Sequence, residues 1–288
     1  MTDLPMTNRP ITPELRQQII DQARAGQPPE DVLKPLLDSG WEEQQAIDAI
    51  ENITREFLAE HARANALPPP TRVPAPVALN GPAVVQAVDR EVHVLASLLL
   101  PRVVVFGSLL SHEECDELIA MARERLVRSS VVSIDSGADE LHDARTSEGT
   151  YFNRGAAPVC SRIEARIAAL LDWPLENGEG LQVLRYGVGA QYKPHYDYFD
   201  PKHPGMRSIL KRGGQRVASV VMYLNTPRSG GATTFPDAKF EVGAIKGNAV
   251  FFSYDRPHPM TRSLHGGAPV TQGEKWVATK WLREGPHT

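Results

Sequence analysis

The sequence predicts an α+β protein: a small N-terminal three-helix domain, then a sandwich or jelly roll of short strands with supporting helices. Three observations carry this expectation. Apolar residues recur at helical spacing between positions 12 and 64. A proline-rich, charge-poor stretch then interrupts the chain between positions 66 and 82. After Gly180 short β-rich runs alternate with Gly and Pro turns, a pattern typical of sheets that pack face to face.

The first helix is expected to start at Thr12-Pro13-Glu14-Leu15, where threonine caps and proline takes the first helical position. Leu15, Ile19, Ile20 and Ala23 share one face, and Gly26 is a suitable stop. A second helix after Pro28-Pro29 carries Val32, Leu33, Leu36 and Leu37 to Gly40; Pro35 argues for only a turn or two. The third places Ala46, Ile47, Ile50, Ile53, Phe57 and Leu58 at helical spacing. A semi-rigid linker over 67–89 follows. Strands are expected over 92–100 and 103–106, then a helix opened by a Ser111/Glu114 capping box that buries Leu118, Ile119 and Met121. A further amphipathic helix spans 161–171, with Ile163, Ile167 and Leu170 inward. The remaining strands fall at 181–186, 192–195, 217–225, 233–235, 249–254, 262–265 and 276–282.

Composition sets bounds without choosing a function. The formal charge of -4 over 288 residues offers no electrostatic case for nucleic acid or an anionic membrane. Cys115 and Cys160 are the only cysteines, so a disulfide framework is not implied and a reducing, cytoplasmic compartment is expected. Met1-Thr2-Asp3-Leu4-Pro5 carries an acid and no apolar core, which does not suit a signal peptide. The most apolar run, 92–106, is broken by Pro101 and Arg102 and is too short to span a bilayer.

The chemistry concentrates around Tyr192-Lys193-Pro194-His195-Tyr196-Asp197. In a strand, residues two apart share a face, so His195 and Asp197 are expected to point inward together. His265, in Ser263-Leu264-His265-Gly266-Gly267, supplies a second imidazole, with His258 as its rival in what reads as a loop. Two imidazoles and one carboxylate on a triangle leave open positions on an octahedral ion, the arrangement of non-haem Fe(II) oxygenases. Structural zinc is disfavoured, since there is no cysteine cluster. Lys275 lies shortly downstream of His265 and offers a cation for the far carboxylate of a 2-oxo acid.

Further motifs recur in order: Arg145-Thr146-Ser147-Glu148-Gly149-Thr150, Leu181-Gln182-Val183-Leu184-Arg185-Tyr186, Gly230-Gly231-Ala232-Thr233 and Gly273-Glu274-Lys275-Trp276. With the His-X-Asp…His pattern, the chain from about 103 to 284 resembles the prolyl 4-hydroxylase family of Fe(II)/2-oxoglutarate dioxygenases. The resemblance implies a double-stranded β-helix, a distorted jelly roll, over a domain at 90–285. It implies His195, Asp197 and His265 as iron ligands, and Lys275, Tyr186 and Thr233 as the 2-oxoglutarate contacts. O₂ would be the second cosubstrate and ascorbate the reductant. The implied products are succinate, CO₂ and a hydroxylated carbon, with C4 of a prolyl residue in a protein or peptide as the target. Retention of Asp197, where halogenating relatives carry a small residue, favours hydroxylation.

For the substrate, the resemblance matches Arg145, Ser147, Glu179, Tyr192, Arg216 and Trp281 to positions that contact peptide in family members. Arg145 and Trp281 would clamp an extended, polyproline-like segment. Many relatives carry histidine two residues after that tryptophan, whereas this chain has Arg283. Residues 133–143 are expected to form a mobile covering loop. The three N-terminal helices, turning at Gly40-Trp41, resemble a ubiquitin-associated-type bundle, which implies a protein-binding or docking module at 10–66; the plainer reading is that their apolar faces only pack together. Two competing functions stand beside the main expectation: the same chemistry on a free amino acid or small molecule, and an interaction protein with a scaffold barrel. A nucleic-acid demethylase fits less well, since that related class uses arginine where Lys275 stands.

Overall fold

In the computed structural model the described residues are 10–76, 81–129, 131–132, 139–140 and 145–287. The chain divides into two compact units, Met1–Pro69 and Pro70–Thr288. In the first, helices Pro13–Arg24, Pro29–Asp38 and Glu43–Ala64 enclose Ile19, Ile20, Val32, Leu36, Ala46 and Ile53. Thr12 caps the first helix by accepting from the Leu15 amide. The second helix is longer than Pro35 led us to expect: it runs 10 residues with the proline inside. A proline in a helix interior costs about 3 kcal/mol. Burying Val32 and Leu36 on either side of it contributes ~1.5–3 kcal/mol each, which outweighs that cost.

The second unit is a two-layer β structure with helices on one side. A 9-stranded antiparallel sheet runs, from edge to edge, through Val84–Ala87, Arg90–Leu98, Arg102–Gly107, Ala249–Ser253, Arg216–Tyr223, Lys275–Arg283, Gly178–Tyr186, Glu148–Phe152 and Val127–Arg128. A 4-stranded sheet orders Phe240–Val242, Thr233–Phe235, His265–Gly267 and Tyr192–His195. Together they form the jelly roll expected from the strand pattern.

Alternation along the large sheet builds two cores. Val104, Phe106, Leu181, Val183, Val220, Met222, Phe251 and Ala278 join Leu118, Ile163 and Ile167 of helices His112–Arg123 and Pro158–Leu171. The intervening Val103, Val105, Leu184, Tyr186, Tyr223, Val250, Phe252 and Val277 face Phe235 and Val242 of the small sheet. Strands buried on both faces therefore read as unbroken apolar runs. The Ser111/Glu114 capping box is formed in both directions.

Three expectations shift. The sheet begins at Val84, inside the stretch read as linker, because Val88 and Asp89 form a two-residue turn that pairs Val84–Ala87 with Arg90–His93. The strand expected at 262–265 starts only at His265, since Arg262 has φ 50° and caps the short 3₁₀ turn Pro259–Thr261. Strand Tyr192–His195 stops at the histidine, so Asp197 lies in the bend beyond it. Residues 133–138 and 141–143 of the expected covering loop lie outside the described residues; Val131–Val132 and Asp139–Glu140 pair as a short hairpin. Among the described residues, no helix is long and apolar enough to cross a membrane.

Candidate active site

Antiparallel pairing of His265–Gly267 with Tyr192–His195 sets His265 directly opposite His195. The two imidazole centroids lie 4.3 Å apart. Each Nδ1 stands 2.9 Å from a carbonyl two residues earlier, Lys193 O for His195 and Ser263 O for His265. A carbonyl only accepts, so both Nδ1 atoms carry a proton, and in the neutral ring that leaves the Nε2 lone pair for a metal. This is the outer-shell arrangement that prepares imidazole for a metal. Asp197 closes the triangle: Oδ1 is 3.5 Å from His195 Nε2, and Oδ2 is 3.5 Å from His265 Nε2. One ligand atom from each residue lies within 4.8 Å of the others, a spread that could hold one ion.

The site's environment favours the required protonation states. Burial pushes the His265 imidazole down to about 4, keeping it neutral. Burial alone would raise the Asp197 carboxyl, but the charges around it, the Arg216 guanidinium among them, outweigh burial and hold the group far below the usual range. His258, the rival ligand, sits elsewhere: its Nδ1 accepts from the Met260 amide at the start of the 3₁₀ turn.

Lys275 pairs with Tyr186 across adjacent strands, and its ammonium lies 5.5 Å from the Tyr186 ring and 5.7 Å from the Tyr223 ring. The lysine is only 4% exposed, and no hydrogen bond or ion pair reaches it among the described residues. Desolvation pulls its pKa down from 10.5 to about 8. A buried cation without a counter-charge is costly and calls for an anion. Thr233 stands on the small sheet opposite Gly267, whose backbone adjoins the lysine tip. Tyr223 donates to Thr233 Oγ1 at 2.8 Å, so the threonine's own proton is available to a ligand. Gly231, at φ 75°, is required here: a Cβ would lie 3.1 Å from Lys275 Cδ. The donor set thus fits both a divalent ion and a carboxylate-ended 2-oxo acid.

The residues matched to peptide contacts separate into groups. Glu179 accepts from Arg216 at 2.7 and 2.9 Å and from Arg283 at 2.6 Å. Burial would raise its carboxyl, but the two guanidiniums bring it to about 2. Arg216 stacks 3.9 Å over the Trp281 ring, and Trp281 Nε1 donates to Asp197 Oδ2 at 2.9 Å. Arg145 lies over Tyr192 at 4.9 Å and donates to Gln182 at 2.8 Å, while Tyr192 stacks on His195 at 3.6 Å. Ser147 is fully buried and bonded to Ser129, so it is not open to a ligand. Three residues near the site were not singled out from sequence, Ser219, Tyr223 and Tyr254; Arg283 was noted as a departure, but not its bond to Glu179. A lone serine within the apolar run Val217–Met222 was the available signal for the first.

A profile of the 2OG-Fe(II) oxygenase superfamily matches residues 181–283. "Prolyl 4-hydroxylase 2" of Arabidopsis thaliana is 41% identical over 207 residues, covering 63% of this chain and 67% of that protein. "Prolyl 4-hydroxylase 1" of the same plant is 43% identical over 202 residues, covering 64% and 69%. Among solved structures, the viral collagen prolyl hydroxylase of Paramecium Bursaria Chlorella virus-1, in complex with 2OG, is 31% identical and superposes with a TM-score of 0.49 over 63% of this chain and 95% of that one.

Proposed function

The chain belongs to the prolyl 4-hydroxylase family of 2OG-Fe(II) oxygenases, and from that premise we propose that it hydroxylates C4 of a prolyl residue in a protein or peptide. One observation supports the placement of its chemistry: two imidazoles with free Nε2 lone pairs and a carboxylate converge beside a buried, unsatisfied lysine. His195, His265 and Asp197 hold Fe(II), and Lys275 receives the distal carboxylate of 2-oxoglutarate. When bound, the ion with 2-oxoglutarate and O₂ supplies oxidative decarboxylation to succinate and CO₂ coupled to hydroxylation of an unactivated C–H.

The protein's own residues prepare that chemistry. The Nδ1–H bonds to Lys193 and Ser263 fix both rings in the ligating tautomer. Thr233, oriented by Tyr223, and Tyr186 add neutral hydrogen bonds at the lysine end of the cosubstrate. Arg145, Tyr192, Arg216 and Trp281 line the approach for a peptide, with Glu179 holding Arg216 in place. Ascorbate as reductant and the cytoplasm as compartment belong to the same reading; Cys115 and Cys160, both buried and unbridged, suit a reducing setting.

Incubating the protein with Fe(II), 2-oxoglutarate and proline-containing peptides tests this directly. The expected result is peptide-dependent succinate formation and a peptide heavier by one oxygen, with fragmentation placing it on proline. Equal turnover of free amino acids without peptide oxidation would move the assignment to a small-molecule substrate. No succinate under any of these conditions would refute the oxygenase assignment for this chain.

A further inference from the structure

Asp197 has more hydrogen-bond donors around it than a metal ligand needs. Ser219 Oγ lies 2.6 Å from Asp197 Oδ2, and Trp281 Nε1 lies 2.9 Å from the same oxygen. Tyr254 OH stands 3.0 Å from Ser219 Oγ. All three oxygen-bearing residues are interior: Ser219 is 0% exposed, Tyr254 2% and Asp197 8%.

The direction of every bond in this chain follows from the donor inventory. A carboxylate offers only lone pairs, so Ser219 must donate to Oδ2. A hydroxyl has one proton, so Ser219 can only accept from Tyr254, which donates. Indole N–H is a donor without choice. Each carboxylate oxygen lies 3.5 Å from one imidazole Nε2, Oδ1 from His195 and Oδ2 from His265, but the two donors Ser219 and Trp281 both fall on Oδ2. Rotation of a carboxylate about its terminal bond is soft, with a broad two-fold profile. Left to itself the group could offer either oxygen, or both, to an ion. Binding through both would occupy a position that the cosubstrate or O₂ must take.

We propose that Tyr254 and Ser219 form a positioning relay that, with Trp281, locks the Asp197 carboxylate so that Oδ1 alone is presented to the metal. The proposal rests on His195, Asp197 and His265 being the ligands. Neither relay residue is among the three candidate ligands. Their effect passes through the carboxylate.

The test uses the full chain with Mn(II) as the probe, its free concentration followed by electron paramagnetic resonance, and with melting of the metal-free proteins confirming that each variant is folded. Ser219→Ala is expected to weaken Mn(II) binding about ten- to a hundredfold, the range seen when a ligand's outer partner is lost. Ser219→Thr, which keeps the hydroxyl, should bind nearly as the parent does. Tyr254→Phe should weaken binding by a smaller factor and have no further effect when added to Ser219→Ala, because its influence runs through that serine. Ser219→Ala and Tyr254→Phe both within twofold of the parent, or losses that multiply, would overturn the relay. Should Ser219→Ala not fold, Tyr254→Phe within twofold would overturn it alone. His265→Ala separates the premise: if that variant still binds Mn(II) like the parent, the ligand assignment fails, whatever the relay variants do.

Discussion

Lys275 shows how a single side chain can be both a burden and an instrument. Without a ligand its side chain is buried and has no hydrogen-bond or ion-pair partner among the described residues, and desolvation lowers its pKa from 10.5 to about 8. Replacing it with alanine removes one charged hydrogen bond worth about 1.5–3 kcal/mol. The apparent KM for 2-oxoglutarate should rise roughly ten- to a hundredfold, while Mn(II) affinity stays within a few-fold. Lys275→Arg should restore little, because a planar fork does not fit where a compact ammonium sat beside Gly231 and Gly267. The pH dependence has a definite sign. The free enzyme carries the charged, binding-competent lysine below about pH 8 and loses it as pH rises through that value. Anaerobic 2-oxoglutarate affinity should therefore fall above about pH 8 in the parent and stay flat in Lys275→Ala; a flat parent profile would remove the lysine from the cosubstrate site. That Lys275, His195 and Asp197 belong together as candidates could be read from local spacing and motifs, and the structure does group His195 and Asp197 with His265. Ser219 and Tyr254 could not be read so, because their relation to Asp197 is created only when distant strands meet.

Among the elements, the antiparallel pair Tyr192–His195 and His265–Gly267 bears directly on the candidate metal site, since its register sets the two imidazoles opposite each other. Gly266 lets these strands approach: a Cβ there would lie 2.9 Å from the Tyr192 carbonyl oxygen and 3.2 Å from Pro194 N. Both obstacles are backbone and cannot swing aside. Gly266→Ala should therefore push the strands apart at about 1–3 kcal/mol and weaken Mn(II) binding by roughly tenfold or more. Gly187→Ala, in open space, is the control and should match the parent. Equal metal affinity in the two variants would show that this pairing does not set ligand geometry. Most longer strands of the large sheet could be placed from β-rich runs to within a few residues, since burial on both faces leaves an apolar signature. Glu148–Phe152 and Val84–Ala87 escaped notice because edge or near-edge strands of mixed polarity carry no such run. The displaced start at His265 has another cause, a left-handed Arg262 that no periodicity announces.

At the scale of the whole molecule, the two compact units allow the N-terminal helices to be tested apart from the chemistry. The first unit holds none of His195, Asp197, His265 and Lys275, and its own core is closed by Ile19, Ile20, Leu36, Ala46 and Ile53. We therefore expect it to serve recruitment or docking. The cut must respect the structure. Residues just after Pro70 belong to the second unit: the Thr71 amide donates to Asp255 O at 2.7 Å, Val73 packs on the main core, and Arg72 lies 5.3 Å from the Trp173 ring. Removing residues 1–69 should leave turnover on a short peptide within a few-fold and Tm nearly unchanged. Removing residues 1–80 should also strip those contacts, and a loss of about 1–2 kcal/mol would lower Tm by several degrees for a unit of this size. A whole-protein substrate should suffer more from either cut than a short peptide, because a tethered second contact raises effective concentration. If the shorter truncation folds, binds Mn(II) and still loses peptide turnover, the N-terminal helices belong to the active site and the docking assignment fails.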